Sequence, residues 1–334
     1  MEQLSRKIFL KARDYIFKHG DDINRAWFRY NFEDSGADAF MDALAKYQHE
    51  NGGFGGLIYE FEYQGPCLKC TEHAFRYIFY MKEKPSAGHP VIQKMMRYVL
   101  ERYRSEIGCW GELLEPGVNE GAHVRWWTYP DGDTTPIADL DERIKKYNPN
   151  GEAALAAFVA LYSELVPEAL YKDIISYPVE KILRYYDEAS PLFGLSRTDG
   201  SHRNDIASPY NIKCYQQFVK CLPDKQLAAR LAAILCQNPT ACMQLDFMAW
   251  EKGYEEIPCD IVDMPDSVVY PAVKDLVDDS LGYLIRQQSK DGAWHLTRRF
   301  GKEHAFRKLE KIYEVHLTML ILTELGRFGR IEAQ

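Results

Sequence analysis

The sequence predicts an all-α fold, an α/α toroid of about six helical hairpins, and two observations support this prediction. First, a motif of glutamine, three residues, glycine, one residue and an aromatic residue occurs at 48–54 and 288–294, with an arginine-led variant at 104–110. Second, apolar residues on both sides of each copy recur at spacings of three and four, the period of an amphipathic helix. A motif repeated between helices is typical of repeat architectures. We therefore predict one domain over 1–334, with a long loop insertion at 112–147.

The helical segments fall into two alternating sets. After a basic, amphipathic N-terminal helix, the segments before the motif copies have one polar face and are predicted as outer helices: "ADAFMDALAKYQ", "VIQKMMRYVLERY" and "VKDLVDDSLGYLIRQQ". The segments after the copies are more apolar and are predicted as inner helices, buried on nearly every side. They are "CTEHAFRYIFYM", "NGEAALAAFVALY" and "YEVHLTMLILTEL", joined by "SPYNIKCYQQFVKCL" and "PTACMQLDFMAW".

The repeated motif has a structural explanation. Its glycines, Gly52, Gly108 and Gly292, allow the backbone to reverse sharply, with positive φ where the turn requires it. The glutamine can hydrogen-bond the free backbone groups at a helix end. The aromatic residue is expected to cover the junction between neighbouring hairpins. We call residues 48–54, 104–110 and 288–294 the staple turns and predict that they stabilise the fold.

A family resemblance follows from these same residues. "QHENGGFGG", "GCWGE" and "QSKDGAW" resemble the QW-type repeats of the terpenoid cyclase and protein prenyltransferase superfamily. The whole pattern also resembles the bacterial proteins with prenyltransferase and squalene oxidase repeats. The resemblance covers nearly all of the chain and implies a toroid with a central cavity for a hydrophobic substrate, such as an isoprenoid. It is specific for fold and does not identify a reaction, because one fold carries many activities.

Composition limits the classes of partner and location. The net charge of −8 argues against nucleic acid as a general partner, because phosphate binding requires a basic face. The N-terminus lacks the apolar run of roughly 7–15 residues found in signal peptides. No stretch approaches the roughly 18 apolar residues of a membrane span, so we expect a cytoplasmic protein without an integral membrane segment. The eight cysteines are too sparse for a disulfide scaffold and are expected to be reduced.

Candidate site residues lie at the starts of the predicted inner helices. In a toroid these starts point into the central cavity, so polar side chains there can meet a ligand. Glu72 and Glu152 are candidate catalytic carboxylates, although a carboxylate in the first helical turn also complements the helix dipole. The candidate substrate-binding residues of this group, some of which are also good helix caps, are His73, Asn150, Tyr210, Asn211 and His316.

The insertion at 112–147 carries a second group of candidates. Connections of this length with little apparent secondary structure are commonly functional. We expect it to fold over the cavity mouth. Its aromatic and imidazole side chains, His123, Trp126, Trp127 and Tyr129, either bind a ligand or anchor the loop to the body of the protein.

The same insertion contains "DGDTT" at 131–135, which resembles the acidic motif of class II terpene cyclases. In that chemistry one carboxylic acid protonates an alkene, and a neighbouring carboxylate tunes the acid. The resemblance implies that Asp131 and Asp133 are catalytic. The alternative is a simple turn, because Pro-Asp-Gly is turn chemistry.

Metal ligands are incomplete, and we predict neither a metal nor another cofactor. The prenyltransferase resemblance implies a zinc site formed by Asp-x-Cys and a later histidine. His316 matches the histidine, but Cys259 and Asp260 are adjacent instead of two residues apart. "CLKCTEH" at 67–73 has zinc-like spacing without a second ligand pair. His202 lies in a polar loop, "LSRTDGSHRND", which either binds an anion or is simply solvated.

Three functional hypotheses remain open. The first is an enzyme of the terpenoid cyclase or prenyltransferase type with an apolar, aromatic cavity. The second is a carbohydrate-active (α/α) hydrolase or lyase, for which Glu72, Asp133, Glu152, His123 and His202 supply the residue types. It predicts two carboxylates roughly 5–9.5 Å apart in an open groove. The third is a toroid that binds a small molecule without catalysis.

Overall fold

A computed structural model describes residues 2–129, 149–185, 209–237, 239–240, 243–251, 257–297 and 299–332. This part of the chain is helical and has no extended β-strand, only isolated bridges between single residues. The all-α prediction is therefore confirmed for the described residues. The "DGDTT" and "LSRTDGSHRND" segments lie outside them.

Thirteen α-helices are present in the described residues. They are α1 Arg6–His19, α2 Asp22–Phe32, α3 Ala37–Ala45, α4 Leu68–Tyr80, α5 Pro90–Glu101, α6 Pro149–Leu161, α7 Glu168–Tyr185, α8 Pro209–Cys221, α9 Lys225–Leu235, α10 Phe247–Trp250, α11 Pro258–Ile261, α12 Tyr270–Gln287 and α13 His304–Arg327. Short 3₁₀ segments occur at Pro116–Glu120, Arg125–Trp127 and Ser163–Leu165. None of the described helices is long and apolar enough to cross a membrane.

The predicted outer segments form α1, α3, α5 and α12, and the predicted inner segments form α4, α6, α8 and α13. The sequence predicts one inner helix in the segment after 239, and the helix observed there is shorter. The described part of it contains only the four-residue α10, which begins where the Asp246 side chain accepts a hydrogen bond from Met248 N at 2.9 Å. A second short helix, α11, follows it and begins with Pro258, a residue well suited to a helix start.

Helix α6 shows how completely an inner helix is enclosed. Every residue from 153 to 160 is at most 3% exposed, and α6 contacts α4, α7 and α8. The alanine-rich sequence allows this close approach, because small side chains let neighbouring helices pack on all sides of it.

The staple turns have the predicted backbone. Gly52, Gly108 and Gly292 have φ of 93°, 65° and 96°. Each of the first and third turns is pressed against another outer helix. A Cβ added to Gly52 would lie 2.1 Å from Lys94 O of α5, and a Cβ added to Gly292 would lie 2.5 Å from Lys11 C of α1. Glycine is therefore required both by the positive φ and by the close backbone approach.

The glutamines of the staple turns bond inside the turn, whereas the sequence predicts bonds to a helix end. Gln48 Nε2 and Gln288 Nε2 donate to the carbonyls of Gly52 and Gly292 at 3.0 and 2.7 Å. The indoles of the second and third turns, both buried, donate to the carbonyls of the preceding outer helices at 2.8 Å. Those two bonds are Trp110 Nε1 to Val99 O and Trp294 Nε1 to Leu284 O.

The two ends of the chain lie together. Leu4 pairs with Ile331, and Glu332 N donates to Leu4 O at 3.0 Å. The last helix, α13, packs on α1 and α2, and the third staple turn rests on α1. The N-terminal and C-terminal hairpins are therefore neighbours in space.

Candidate functional site

One face of α13 carries two buried polar residues with an exposed leucine between them. His316, Leu320 and Glu324 are spaced by four residues and therefore lie on the same face of this helix. His316 and Glu324 are buried, with 5% and 7% of their surface exposed, whereas Leu320 between them is 41% exposed. His316 contacts His73 of α4, and Glu324 lies near Cys259 and Asp260 of α11. We call the residues around this face the central site.

The first end of the central site is a pair of imidazoles. The rings of His73 on α4 and His316 on α13 have centroids 5.3 Å apart, and the Tyr59 ring lies 5.0 Å from His316. Tyr59 OH donates to Asp21 Oδ2 at 2.8 Å and accepts from Asn24 Nδ2 at 3.0 Å. Burial lowers the pKa of His316 to about 4 and places the pKa of His73 well below its usual value. Both imidazoles are therefore neutral around pH 7.

The second end contains a carboxyl with an unusual environment. Asp260, in α11, has an exposed side chain, yet desolvation by the surrounding protein raises its pKa to about 6. Its Oδ2 also accepts a hydrogen bond from Ile257 N at 3.1 Å at the start of α11. Atoms of Cys259, Asp260 and Glu324 that can bind a cation lie within 4.8 Å of one another. Burial, and then the charge of Asp260, raise the pKa of Glu324 well above its usual value.

A charged network borders this second end. Lys213 Nζ lies 2.8 Å from Asp263 Oδ2, and Tyr80 OH donates a short hydrogen bond to the same carboxylate. Gln217 Nε2 donates to Tyr80 OH at 3.0 Å, and the Arg327 guanidinium lies 3.9 Å from the Tyr80 ring centroid. Burial opposes ionisation of Asp263, but Lys213 and Arg327 outweigh it and hold its pKa below the usual value. Asp263 is therefore a carboxylate, whereas its neighbour Asp260 can hold a proton.

The thiol and carboxylates of Cys259, Asp260 and Glu324 form the set of side chains in the described residues that fits a metal ion. Sulfur with oxygen donors is compatible with zinc. Glu324 Oε1 is buried without a hydrogen-bond partner. However, Lys213 Nζ lies 3.2 Å from the Asp260 backbone oxygen, so a positive charge already faces this group. The absence of a metal stays a prediction.

Glu72 lies beside the central site but is enclosed. Its side chain is 0% exposed, and Lys69 Nζ lies 2.9 Å from its Oε2. Arg76 Nε makes a short contact with the other oxygen, Oε1. Both carboxylate oxygens therefore have cationic partners, which favours a structural role. Glu152, in the first turn of α6, is also buried, with 3% of its surface exposed.

The aromatic residues of the insertion are bonded to the body of the protein. Trp126 Nε1 and Trp127 Nε1 donate to the two oxygens of Glu60 at 3.2 and 2.8 Å. Lys69 Nζ lies 5.1 Å from the centroid of the Trp127 ring. Burial raises the pKa of Glu60, and the two indole bonds oppose that rise. These contacts support the anchoring alternative for both tryptophans.

The two other candidates of the insertion also contact local backbone. His123 Nδ1 lies 2.8 Å from Gly121 O, and His123 pairs with Phe61. Tyr129 exchanges two hydrogen bonds with the side chain of Asn119, at 2.9 and 2.6 Å. Three predicted site residues lie outside the described part of the chain: Asp131, Asp133 and His202. For three more, Asn150, Tyr210 and Asn211, the structure describes the backbone but not the side chain.

The sequence patterns did not single out four residues of the central site as functional. Tyr80, Lys213, Leu320 and Glu324 lie in the middle or at the ends of helices, whereas the candidates on the predicted inner helices were placed at helix starts. Asp260 entered the prediction only as a possible zinc ligand. Glu324 is the one charged residue in the apolar stretch 317–325 of α13, a signal that could have identified it. Lys213 lies among other polar residues of α8 and gives no such signal.

The pH dependence of stability tests the neutral imidazoles. Because His316 has a folded pKa of about 4 against 6.5 in the unfolded chain, the unfolded state binds more protons between these values. Stability is therefore retained above about 6.5 and lost as the pH falls towards 4, by about 3 kcal/mol from His316. His73 acts in the same direction.

We expect His316→Phe to flatten this part of the stability profile, measured by urea denaturation at a series of pH values. Phe keeps the aromatic contact with Tyr59 and cannot take up a proton. The exposed His304 on the same helix provides a control, His304→Phe. An unchanged slope in His316→Phe would contradict the assignment.

No protein-family model matches this chain, and no curated protein shows significant similarity to it. The case for function therefore rests on the residues of the central site.

Proposed function

We propose that the helices close into an α/α toroid, with α2, α4, α6, α8, α11 and α13 as its inner ring. Pairwise contacts support this order: α13 with α2, α4 with α6, α6 with α8 and α8 with α11. Trp27 of α2 contacts Tyr77 of α4, their ring centroids being 5.2 Å apart. Cys259 of α11 and Glu324 of α13 supply the remaining link. The adjacent chain ends are what such a closure requires.

Within this ring we propose an enzyme that holds a largely apolar small molecule, of the isoprenoid class, in the central hollow. The observation that carries the proposal is the exposed Leu320 on the same face of α13 as the buried His316 and Glu324; in the proposed toroid this face points inward. An exposed leucine in an enclosed place is stabilised when an apolar ligand covers it. Aromatic rings at both ends, such as Tyr59 and Tyr80, can face positive charge that develops on a hydrocarbon chain.

Asp260 is the general acid of this proposal. Its pKa of about 6 leaves a protonated fraction near neutral pH, and its side chain is exposed. A carboxylic acid tuned in this way can donate a proton to a ligand atom placed beside it. Asp263, held ionised by Lys213, then supplies a fixed negative charge near the reacting group.

A variant that fills the hollow tests ligand binding. We expect Leu320→Trp to weaken binding of farnesyl diphosphate by at least about tenfold, because the indole occupies the ligand's space. The control is Ile8→Trp on α1, which introduces the same side chain at a position of similar exposure, 39% against 41%, on an outer helix. Native mass spectrometry with isoprenoid diphosphates of increasing length measures both variants. Equal affinities for the two variants would contradict a ligand at Leu320.

A second variant tests the acid. Asp260→Asn is expected to abolish turnover of a bound isoprenoid while leaving its affinity within about threefold of the original. In the unmodified enzyme the acid must be protonated, so the rate falls as the pH rises through about 6. Asp275→Asn, at an exposed position of α12, is the matched control. Turnover by Asp260→Asn with an unchanged pH profile would remove Asp260 from the mechanism.

One observation favours a second candidate, a carbohydrate-active enzyme. Carboxylate oxygens of Asp260 and Glu324 lie within 4.8 Å of each other, close to the roughly 5–5.5 Å of retaining glycosidases. Glu324 is only 7% exposed, which makes it a poor nucleophile for a sugar. Binding of an oligosaccharide mixture in the same mass-spectrometric experiment, with no isoprenoid bound, would place this candidate first.

A further inference from the structure

Two cysteines share the first turn of α4. Cys67 is the N-cap residue of this helix, and Cys70 is its third residue. Cys70 N donates to Cys67 Sγ at 3.3 Å, so the first side chain already lies over the turn that contains the second. Residues three apart on a helix have Cα atoms roughly 5 Å apart, which follows from the helix radius and rise and falls within the roughly 4.4–6.8 Å Cα separation of a disulfide.

A separate segment of the chain supplies hydrogen bonds to the second sulfur. Backbone hydrogen bonding from Gly56, Leu57 and Ile58 lowers the pKa of Cys70, as does hydrogen bonding with the thiol of Cys67. Gly56 has φ of 69°, a conformation that helps successive N–H groups to converge on one point. Backbone donors converging on sulfur favour a thiolate over a thiol.

The pKa values of the two thiols move in opposite directions. Burial raises the pKa of a thiol, but at Cys70 the hydrogen bonds outweigh burial and lower it. The pKa of Cys67 is raised well above the usual value, because its thiol donates to Cys70 and is buried. By contrast, the buried Cys214 and Cys259 have raised pKa values, chiefly from burial. A thiolate beside a thiol is the combination needed for disulfide exchange.

We propose that Cys67 and Cys70 are a redox-active dithiol, which a low-molecular-weight disulfide such as oxidised glutathione converts into an intrachain disulfide. The Cys70 thiolate attacks one glutathione sulfur and expels the other as a thiolate. The Cys67 thiol then loses its proton and attacks the Cys70 sulfur, expelling the second glutathione. Two electrons pass from the protein to glutathione disulfide, and two glutathione thiols result.

We expect access to the two sulfurs through the surface segment that precedes Cys67. Both thiols are buried, and residues 62–66, immediately before Cys67, are exposed or half-buried. Tyr63 interacts electrostatically with both thiols, and its ring covers Gly65. Oxidation therefore requires this segment to open locally, and we expect Tyr63→Ala to accelerate it by at least about threefold.

The dithiol shares its helix turn with central-site residues. Lys69 lies between the two cysteines, and Glu72 and His73 follow directly. A disulfide that alters the geometry of this turn changes the positions of all three side chains. The redox proposal itself rests only on the two cysteines and their hydrogen-bond donors, so it stands whether or not the central site binds an isoprenoid.

The test uses the full-length, reduced protein incubated with mixtures of oxidised and reduced glutathione. After alkylation of the remaining thiols, intact and peptide masses should show the loss of two hydrogen atoms, confined to the peptide that contains 67–70. In Cys67→Ser the second attack is impossible, so Cys70 should retain a bound glutathione. Cys236→Ser removes a half-buried cysteine elsewhere and should leave the 67–70 disulfide unchanged.

Three results would overturn the proposal. In the first, Cys67 and Cys70 of the unmodified protein remain alkylatable in oxidised glutathione that modifies the half-buried Cys109 and Cys236. In the second, the disulfide that forms joins other cysteines. In the third, the pair resists oxidation until a chelator is added, which would make it a metal site. None of these readouts depends on whether the serine variant folds.

Discussion

The Trp294→Ala variant is expected to lose about 3–5 kcal/mol of unfolding free energy, because it removes a large buried aromatic side chain. Trp294 is 3% exposed and makes two hydrogen bonds that tie three elements together. Its indole Nε1 donates to Leu284 O of α12 at 2.8 Å, and its backbone N donates to Thr318 Oγ1 of α13 at 3.1 Å. The turn that carries it also rests on α1.

Urea denaturation of matched variants measures this loss. Phe247→Ala is the control, because Phe247 is an aromatic residue with 52% exposure, and its removal should change stability by about 0.5 kcal/mol. Trp294→Phe isolates the indole hydrogen bond and should cost about 1 kcal/mol plus the packing lost with the smaller ring. A loss in Trp294→Ala no larger than that in Phe247→Ala would show that the third staple turn does not stabilise the fold.

The staple turns could be predicted because their chemistry is local. Glutamine, glycine and aromatic residue lie within seven positions, and the bond from Gln288 to Gly292 is made inside the motif. The sequence also separates outer from inner helices, since burial on one face or on all faces leaves different apolar patterns. The motif does not reveal the distant residue that accepts a hydrogen bond from the backbone of its aromatic residue. Thr71 and Thr318 accept from the backbone of Phe54 and Trp294, 17 and 24 residues away.

The central site was predicted less well for the same reason. His73 and His316 were predicted at helix starts. The placement of His316 was wrong, because α13 begins at His304 and His316 lies in its middle. The structure nevertheless brings the two rings together across 243 residues of sequence. Asp260 and Glu324 also meet only in three dimensions. The perturbed pKa of Asp260 arises from burial, which a sequence pattern does not encode.

Trp126 and Trp127 illustrate an ambiguity that sequence alone leaves open. Two tryptophans beside Arg125 in a predicted loop are equally suited to stacking on a ligand and to anchoring the loop. Their partner, Glu60, lies more than sixty residues earlier in an irregular segment, and no sequence motif links it to the tryptophans. Each indole has one N–H donor, and both donate to Glu60, which supports anchoring; ligand stacking on the ring faces stays a prediction.

The second large effect is expected at Glu72. Glu72→Gln should lower the unfolding free energy by about 3–5 kcal/mol, because it leaves the two cations that flank it without their anion in the protein interior. The side chains of Lys69 and Arg76 are 5% and 17% exposed, so water compensates them poorly. Gln has nearly the same shape as Glu, and the cost therefore reports the lost charge instead of a cavity.

A surface pair of the same type supplies the control. Glu168 and Lys172 are also spaced along one helix, with N–O separation of 2.6 Å, but their side chains are 81% and 71% exposed. Glu168→Gln should therefore leave the denaturation midpoint essentially unchanged, since solvent screens exposed pairs. If Glu72 were instead a catalytic carboxylate that tolerates loss of charge, Glu72→Gln would keep its stability and lose only turnover. Adding Lys69→Met to Glu72→Gln separates the two cases further, because removing the stranded cation should recover part of the lost stability only if the ion pair holds the fold.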